Sequence, residues 1–345
     1  MSKMLEEIRQ QPVALERTLK SALPQARELR RRCQAKRPQL VVLAARGTSD
    51  NAAQFGRYLI EIATGIPVSL AAPSVCTLYG ASLSLGNAMV VGISQSGEST
   101  DTNLVLERAR EAGAFTIGIT NEAASALARI PHQTFLVRAG KEKSVAATKT
   151  YTGQLLIFYL IAWALGAPFP LDDLERVAES ASVALRLQDA IVRRAERYRF
   201  MERALVVARG LNYSNAFEFA LKLMETCYVV AERFSGADLL HGPIAMVERS
   251  FPAFLFAPPG VTWSGQREML AKLDRLKADT LVITDRGNPE ASTRGNAIVI
   301  PAKLAELYTP IPYIIPAQLF VACLAGIKGL DPDRPRTLSK VTRTM

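Results

Sequence analysis

The chain repeats itself, and that repeat constrains its fold more than any other feature. Leu40–Gly47 (LVVLAARG) is an apolar run ending in Arg-Gly, and Ala204–Gly210 (ALVVARG) does the same later in the chain. A helical stretch follows each run, Asn51–Glu61 (NAAQFGRYLIE) and Asn215–Glu225 (NAFEFALKLME). With one residue inserted, Asn, Ala, Phe, Leu and Glu recur in register. The halves then continue alike. The first carries apolar strands at Ala88–Ile93, Phe115–Thr120 and Gln133–Val137, with a helix reaching Ala112 after the first of them. The second carries strands at Ala253–Ala257, Thr280–Thr284 and Ala297–Ile300, with a helix over Ser264–Lys277. Apolar strands alternating with helices predict parallel sheets covered on both faces. The expectation is an α/β chain of two tandem, doubly wound domains related by a pseudo-twofold axis. Its predicted parts are a helical segment over 1–34, a first domain over 35–168, a helical linker over 169–199, a second domain over 200–330 and a tail over 331–345.

Composition narrows the function. A length of 345 residues suits two or three domains, and 49% hydrophobic with 21% charged residues excludes intrinsic disorder. Cys33, Cys76, Cys227 and Cys323 form no CxxC pair, and His132 and His241 lie far apart, so no structural zinc spacing can be assembled. The cysteines read as free thiols of a reducing cytoplasm. The opening MSKMLEEIRQQP has no apolar core of a signal peptide. Leu155–Gly166, the longest apolar run noted in the sequence, is too short to span a bilayer and reads as a buried helix. The net charge of +10 invites a polyanion. Apart from Arg30, Arg31, Arg32, Lys36 and Arg37, however, the basic residues are dispersed. The stretch before the first strand is also too short for a helix-turn-helix, which needs about 60 residues. Neither nucleic acid nor a membrane is expected as a partner; a small anionic substrate is.

In parallel sheets of this kind ligands bind beyond the carboxyl ends of the strands. Two loops there are rich in hydroxyls: Arg46-Gly47-Thr48-Ser49 and Ser94-Gln95-Ser96-Gly97-Glu98-Ser99. A glycine lets backbone approach a ligand, helix-start N–H groups attract an anion, and hydroxyls add neutral donors. Isolated serines at such places are usually helix caps. Three serines, a glutamine and a glycine in six residues exceed what one cap needs, and phosphate binding is the reading. GxxxxGKS and GxGxxG are both absent, which disfavours P-loop ATP chemistry and a nicotinamide or flavin cofactor. The phosphate then belongs to the substrate, with no cofactor and no metal.

The second half offers ionisable groups. Glu218, Lys222 and Glu225 share one helical face, among Phe217, Phe219, Ala220, Leu221, Leu223 and Met224. A surface ladder of Glu–Lys pairs is the plain alternative, but a largely apolar helix argues against it. Sixteen residues on, His241 precedes a Gly-Pro turn. Glu225 with His241 makes a candidate acid–base pair.

At this level of detail the chain resembles the sugar isomerase (SIS) family, in the tandem pair that forms the isomerase half of glutamine–fructose-6-phosphate aminotransferases. ARGTS, ISQSGES, Ala139–Thr150 (AGKEKSVAATKT), ALKLMETCY, LLHGPIAMV and Asp331–Lys340 (DPDRPRTLSK) carry the resemblance in order. It implies two flavodoxin-like SIS domains. It implies a sugar-phosphate cradle of Thr48, Ser49, Ser94, Gln95, Ser96 and Ser99, lined by Val145 and Ala147. Glu225 corresponds to the base that moves a proton between C1 and C2, and His241 to the ring-opening residue, supplied across the interface of at least a homodimer. Lys222 corresponds to an assisting lysine and Lys340 to one that meets the sugar carbonyl. Two positions depart from the family: Ala147 replaces a serine and Ser99 a threonine. The resemblance does not extend to a glutaminase domain, because the chain begins Met-Ser-Lys-Met. Glutamine is therefore not expected as nitrogen donor, and an SIS-type glucosamine-6-phosphate deaminase is expected instead. Alternatives are a fructosamine-6-phosphate deglycase, a galactosamine-6-phosphate isomerase or deaminase, and a non-catalytic sugar-phosphate sensor. A sensor would need no Glu225, His241 or Lys340.

Overall fold

The computed structural model describes residues 2–339. Helices α1 (Lys3–Arg9) and α2 (Gln11–Ala35) lead into β1 (Leu40–Ala44), α3 (Thr48–Thr64), β2 (Val68–Leu70) and α4 (Pro73–Thr77). There follow β3 (Ala88–Ile93), α5 (Thr100–Glu111), β4 (Phe115–Thr120), β5 (Gln133–Leu136) and α6 (Lys149–Ala164). Helices α7 (Asp172–Leu185) and α8 (Gln188–Glu196) then precede β6 (Arg203–Ala208), α9 (Tyr213–Cys227), β7 (Val230–Ser235) and α10 (Gly236–Leu240). The chain ends through β8 (Pro252–Phe256), α11 (Trp263–Arg275), β9 (Asp279–Asp285), α12 (Pro289–Ser292), β10 (Ala297–Ile300) and α13 (Pro310–Ile327).

The strands form two sheets of five, ordered β2-β1-β3-β4-β5 and β7-β6-β8-β9-β10. Every pairing is parallel. Counted within each half, both orders read 2-1-3-4-5, the doubly wound flavodoxin-like arrangement. The central strands are apolar runs because helices cover both their faces: β3 is buried at every residue. The edge strands β2 and β7 escape the sequence pattern. The first has only three residues, and the second (VAERFS) is exposed at three of its six residues and carries two charges. Short or charged edges of this kind discourage pairing with another chain.

Each half closes with a helix buried nearly all round, α6 in the first and α13 in the second. A helix apolar on every face must lie inside a core. The α13 helix is long and apolar enough to cross a bilayer, but 89% of it is buried within the protein. It is a longer apolar segment than the Leu155–Gly166 run. The segment expected as one N-terminal helix is two, α1 and α2. The arginines of α2 are put to local use: Arg30 lies 4.2 Å over the Trp163 ring and Arg32 3.8 Å over Phe115.

By packing, the chain divides into two units. One takes Gln11–Glu142 and Lys149–Arg176; the other takes the described N-terminal residues to Gln10, Lys143–Thr148 and Val177–Thr337. Lys143–Thr148 thus belongs to the unit of the second sheet although it precedes α6. The Glu7 carboxylate accepts the N–H groups of Lys143 and Ser144, and Val145 N donates to Asp333 O at 3.4 Å. Asp333 in turn caps α1, its carboxylate accepting from Lys3 N at 2.7 Å and Met4 N at 2.8 Å.

Candidate active site

The first sheet reverses its winding between β1 and β3, and the loops leaving those strands carry the hydroxyls. Gly47, with φ 57° and ψ −131°, turns the chain into α3, a conformation that a side chain rarely tolerates. Thr48 opens that helix, and the buried Ser49 accepts a hydrogen bond from Gln154 Nε2 at 3.0 Å. Beyond β3, Ser94 Oγ accepts Gly97 N at 3.1 Å, and Ser96 Oγ accepts Glu98 N at 3.3 Å. These bonds shape the loop. Ser99 stands at the N-cap position of α5 without capping it, and its hydroxyl accepts from Thr102 Oγ1 at 3.1 Å. The cap reading therefore fails for Ser99.

Gln95 donates through Nε2 to Glu142 at 2.9 Å, and the Glu142 carboxylate also takes the N–H and hydroxyl of Thr150 at 3.3 and 2.6 Å. Glu142 is a residue that sequence reasoning passed over inside AGKEKSVAATKT. A second such residue is Arg46, whose guanidinium pairs with Asp101 at 2.7 Å. Its only sequence signal was the Arg-Gly shared by both halves. A cavity of about 700 Å³ also opens in this unit, walled by residues such as Leu40, Val42, Cys76, Val90 and Val105. None of the serines of the two hydroxyl-rich loops lines it.

In the second unit, α9 follows β6 and is seated by Phe219, whose ring packs on Phe254 and Phe320 at 4.9 and 5.8 Å between centroids. With that face in the core, its ionisable residues come together. Lys222 Nζ lies 3.4 Å from Glu218 and 2.7 Å from Glu225, and the three side chains are 1%, 0% and 24% exposed respectively. A ladder of solvated surface pairs is thereby excluded. Burial alone would push the Lys222 ammonium down, but the two carboxylates outweigh it and hold it above the ordinary lysine range. Glu225, the member of the trio that solvent reaches, is held by a fixed cation.

His241 caps the C-terminus of the short α10, its N–H donating to Asp238 O at 3.1 Å, and Gly242 with φ 134° turns the chain away. The side chain is exposed. Val145 is half-buried and Ala147 buried, in the Lys143–Thr148 segment of the second unit. The tail is fastened near the end of α9: Arg336 lies 3.9 Å over the Tyr228 ring, and its N–H donates to the Tyr228 hydroxyl at 2.9 Å. Lys340 lies outside the described residues. Among the described residues no cluster of His, Cys, Asp and Glu could hold a metal ion.

Two parallel sheets of identical winding, with a hydroxyl-rich loop pair in one and a buried carboxylate–ammonium cluster in the other, define a pair of sugar isomerase domains. The SIS domain signature matches residues 35–164 and 199–327, and the chain belongs to that family. Within the family, it is 33% identical over 344 residues to a glutamine–fructose-6-phosphate aminotransferase (isomerizing) of Pyrococcus horikoshii, covering 98% of this chain and 57% of that protein. The chain thus spans little more than half the length of that curated relative. Among solved structures, the C-terminal domain of a glucosamine-fructose-6-phosphate aminotransferase from Francisella tularensis superposes with a TM-score of 0.87 at 28% identity, covering 97% of this chain and 98% of that one. A protein described as a putative phosphosugar isomerase from Silicibacter pomeroyi superposes at 0.86 and 29% identity, covering 96% and 100%. The expectations of two SIS domains, and of kinship with the isomerase half of the aminotransferases, hold.

Proposed function

We propose that this chain is a phosphosugar isomerase acting on an amino sugar phosphate, most directly a glucosamine-6-phosphate deaminase. The observation that carries the reading is Glu225: a partly exposed carboxylate, held at 2.7 Å by a lysine that is itself buried against Glu218. A general base needs a fixed position and access to substrate, and this arrangement supplies both.

In the proposed reaction the hydroxyls of Thr48, Ser49, Ser94, Ser96 and Ser99, with Gln95, hold the 6-phosphate and so fix the reacting carbons. His241 moves the proton that opens the ring. Glu225 takes the proton from C2 of the open-chain aldose and returns it to C1, converting the 2-amino aldose into the 2-imine of the ketose. Water adds to the imine carbon and ammonia leaves, giving fructose 6-phosphate. The exposed His241, beside the exposed Leu240 and Met246, suits donation to the site of a neighbouring copy, so the working form is at least a homodimer. Lys340 completes the set by resemblance. Four free cysteines suit a reducing compartment such as the cytoplasm.

The test is ammonia release from the purified chain given glucosamine 6-phosphate alone, with fructose 6-phosphate followed by a coupled assay. Equal amounts of both products are expected. Tight sugar-phosphate binding without ammonia would leave a sensor, or an isomerase of another substrate.

A further inference from the structure

The proposed phosphate cradle consists of two loops leaving two different strands, and an ion pair joins them. Arg46 follows β1, and Asp101 lies in the first turn of α5, just beyond the serine loop. Both Nε and Nη2 of Arg46 reach the same Asp101 oxygen, at 3.2 and 2.7 Å. The two ends differ in exposure: Asp101 is 3% exposed and Arg46 50%. The buried Asp101 carboxylate thus has a cation at hydrogen-bond distance, and it stands at the same helix start that is read as receiving a phosphate. Arg46 also faces Asp50, in the first turn of α3: burial pushes that carboxyl up, and Arg46 offsets only part of the rise.

We propose that Arg46 is a positioning residue of the phosphate cradle that acts through Asp101: the ion pair between the β1–α3 and β3–α5 loops neutralises a buried carboxylate that would otherwise repel the incoming phosphate. The inference rests on the reading of these loops as a phosphate site. Hydroxyls and backbone N–H groups orient a phosphate without cancelling its charge, so Asp101 with Arg46 removed opposes binding at short range. The pair costs the cradle no donor and removes that opposition.

Inorganic phosphate is the probe, titrated by calorimetry into the full chain, with far-UV circular dichroism and the thermal midpoint confirming the fold of each variant. Arg46→Ala is expected to weaken phosphate binding about tenfold or more. Adding Asp101→Asn to Arg46→Ala is expected to restore affinity to within about threefold of the parent, because the repelling charge has gone. A strut that merely held the loops would give a double variant no tighter than the single one, and that result overturns the proposal. So does Arg46→Ala binding phosphate within twofold of the parent. Should Arg46→Ala fail to fold, Arg46→Gln with Asp101→Asn makes the same comparison with a neutral hydrogen bond in place of the ion pair. It is expected to bind like the parent, and a tenfold loss there refutes the charge argument. With glucosamine 6-phosphate, KM of Arg46→Ala is expected to rise more than the turnover number falls. If the parent protein binds neither inorganic phosphate nor any sugar phosphate, the phosphate reading fails and takes this inference with it. A parent that binds while Arg46→Ala is unaffected defeats only the role of Arg46.

Discussion

The two halves of this molecule share a winding and differ in what stands at the ends of the same strands. Four residues beyond β3 comes Gly97 with φ 67°, and four beyond β8 comes Gly260 with φ 119°. Seven residues beyond each strand its helix begins. The loop backbones correspond, but Ser94-Gln95-Ser96-Gly97-Glu98-Ser99 becomes Ala257-Pro258-Pro259-Gly260-Val261-Thr262 in the second half. Two prolines remove backbone donors, and the Glu306 carboxylate takes both the N–H (3.2 Å) and the hydroxyl of Thr262. In the second half, the anion at this helix start is one of the chain's own side chains.

The helix before that loop diverges in the opposite sense. In register, Gln54, Tyr58 and Glu61 of α3 correspond to Glu218, Lys222 and Glu225 of α9. Glu61 accepts the N–H of Val68 at 3.0 Å and pairs with Arg57 at 3.7 Å, both structural duties at the surface. Its counterpart Glu225 sits against a buried ammonium. One scaffold used twice has thus kept hydroxyl donors in one copy and buried charge in the other. On the proposed reading, binding and proton transfer make opposite demands on polarity, and each demand falls to a separate domain.

The sharpest way to break this comparison is to exchange the matching glutamates for glutamine. Glu225→Gln is expected to lower turnover about 10³-fold while sugar-phosphate affinity stays within a few fold. Glu61→Gln should leave turnover within about twofold; equal losses at both sites would end the distinction. Next in size is Lys222→Met. It strands Glu218 without its cation in the core, and a urea titration should show about 3–5 kcal/mol of lost stability. Because the folded protein holds the Lys222 ammonium above its ordinary value, the stabilisation is fully present below that value. It is lost only as pH climbs through the raised one. The parent should therefore show no loss from this group across neutral pH.

Smaller effects sharpen the contrast between the loops. Replacing Ser94 and Ser96 together by alanine should raise KM about tenfold or more, by removing donors to a charged group, whereas Thr262→Val should leave KM in place. Smallest is Glu306→Ala, expected to cost about 1 kcal/mol, the scale of a lost helix cap, in a thermal or denaturant melt. Sugar-phosphate affinity should not move.

Much of the fold was legible in sequence because buried parallel strands must be apolar throughout. The central strands of both sheets, and the helices between them, stand where the apolar runs put them. The edge strands β2 and β7 were not legible, since one is too short to show a period and the other carries charge. Within the candidate site, the clustered serines and the Glu218–Lys222–Glu225 spacing signalled themselves by composition and helical period. Arg46 and Glu142 did not. Each is a single polar residue whose partner, Asp101 or Gln95, lies tens of residues away, so even the repeated Arg-Gly that includes Arg46 gives no hint of its pairing.

The sequence by itself determined the doubled α/β architecture, the loop that carries the hydroxyls and the helix that carries the charges, because periodicity and residue type are local properties. Tertiary structure alone decided which charges are buried, that Lys222 lies between two carboxylates, that Arg46 meets Asp101, and that Glu306 fills the second loop. Those facts depend on which surfaces lose water when distant segments meet, and burial is what turns an ordinary ion pair into a fixed electrostatic element.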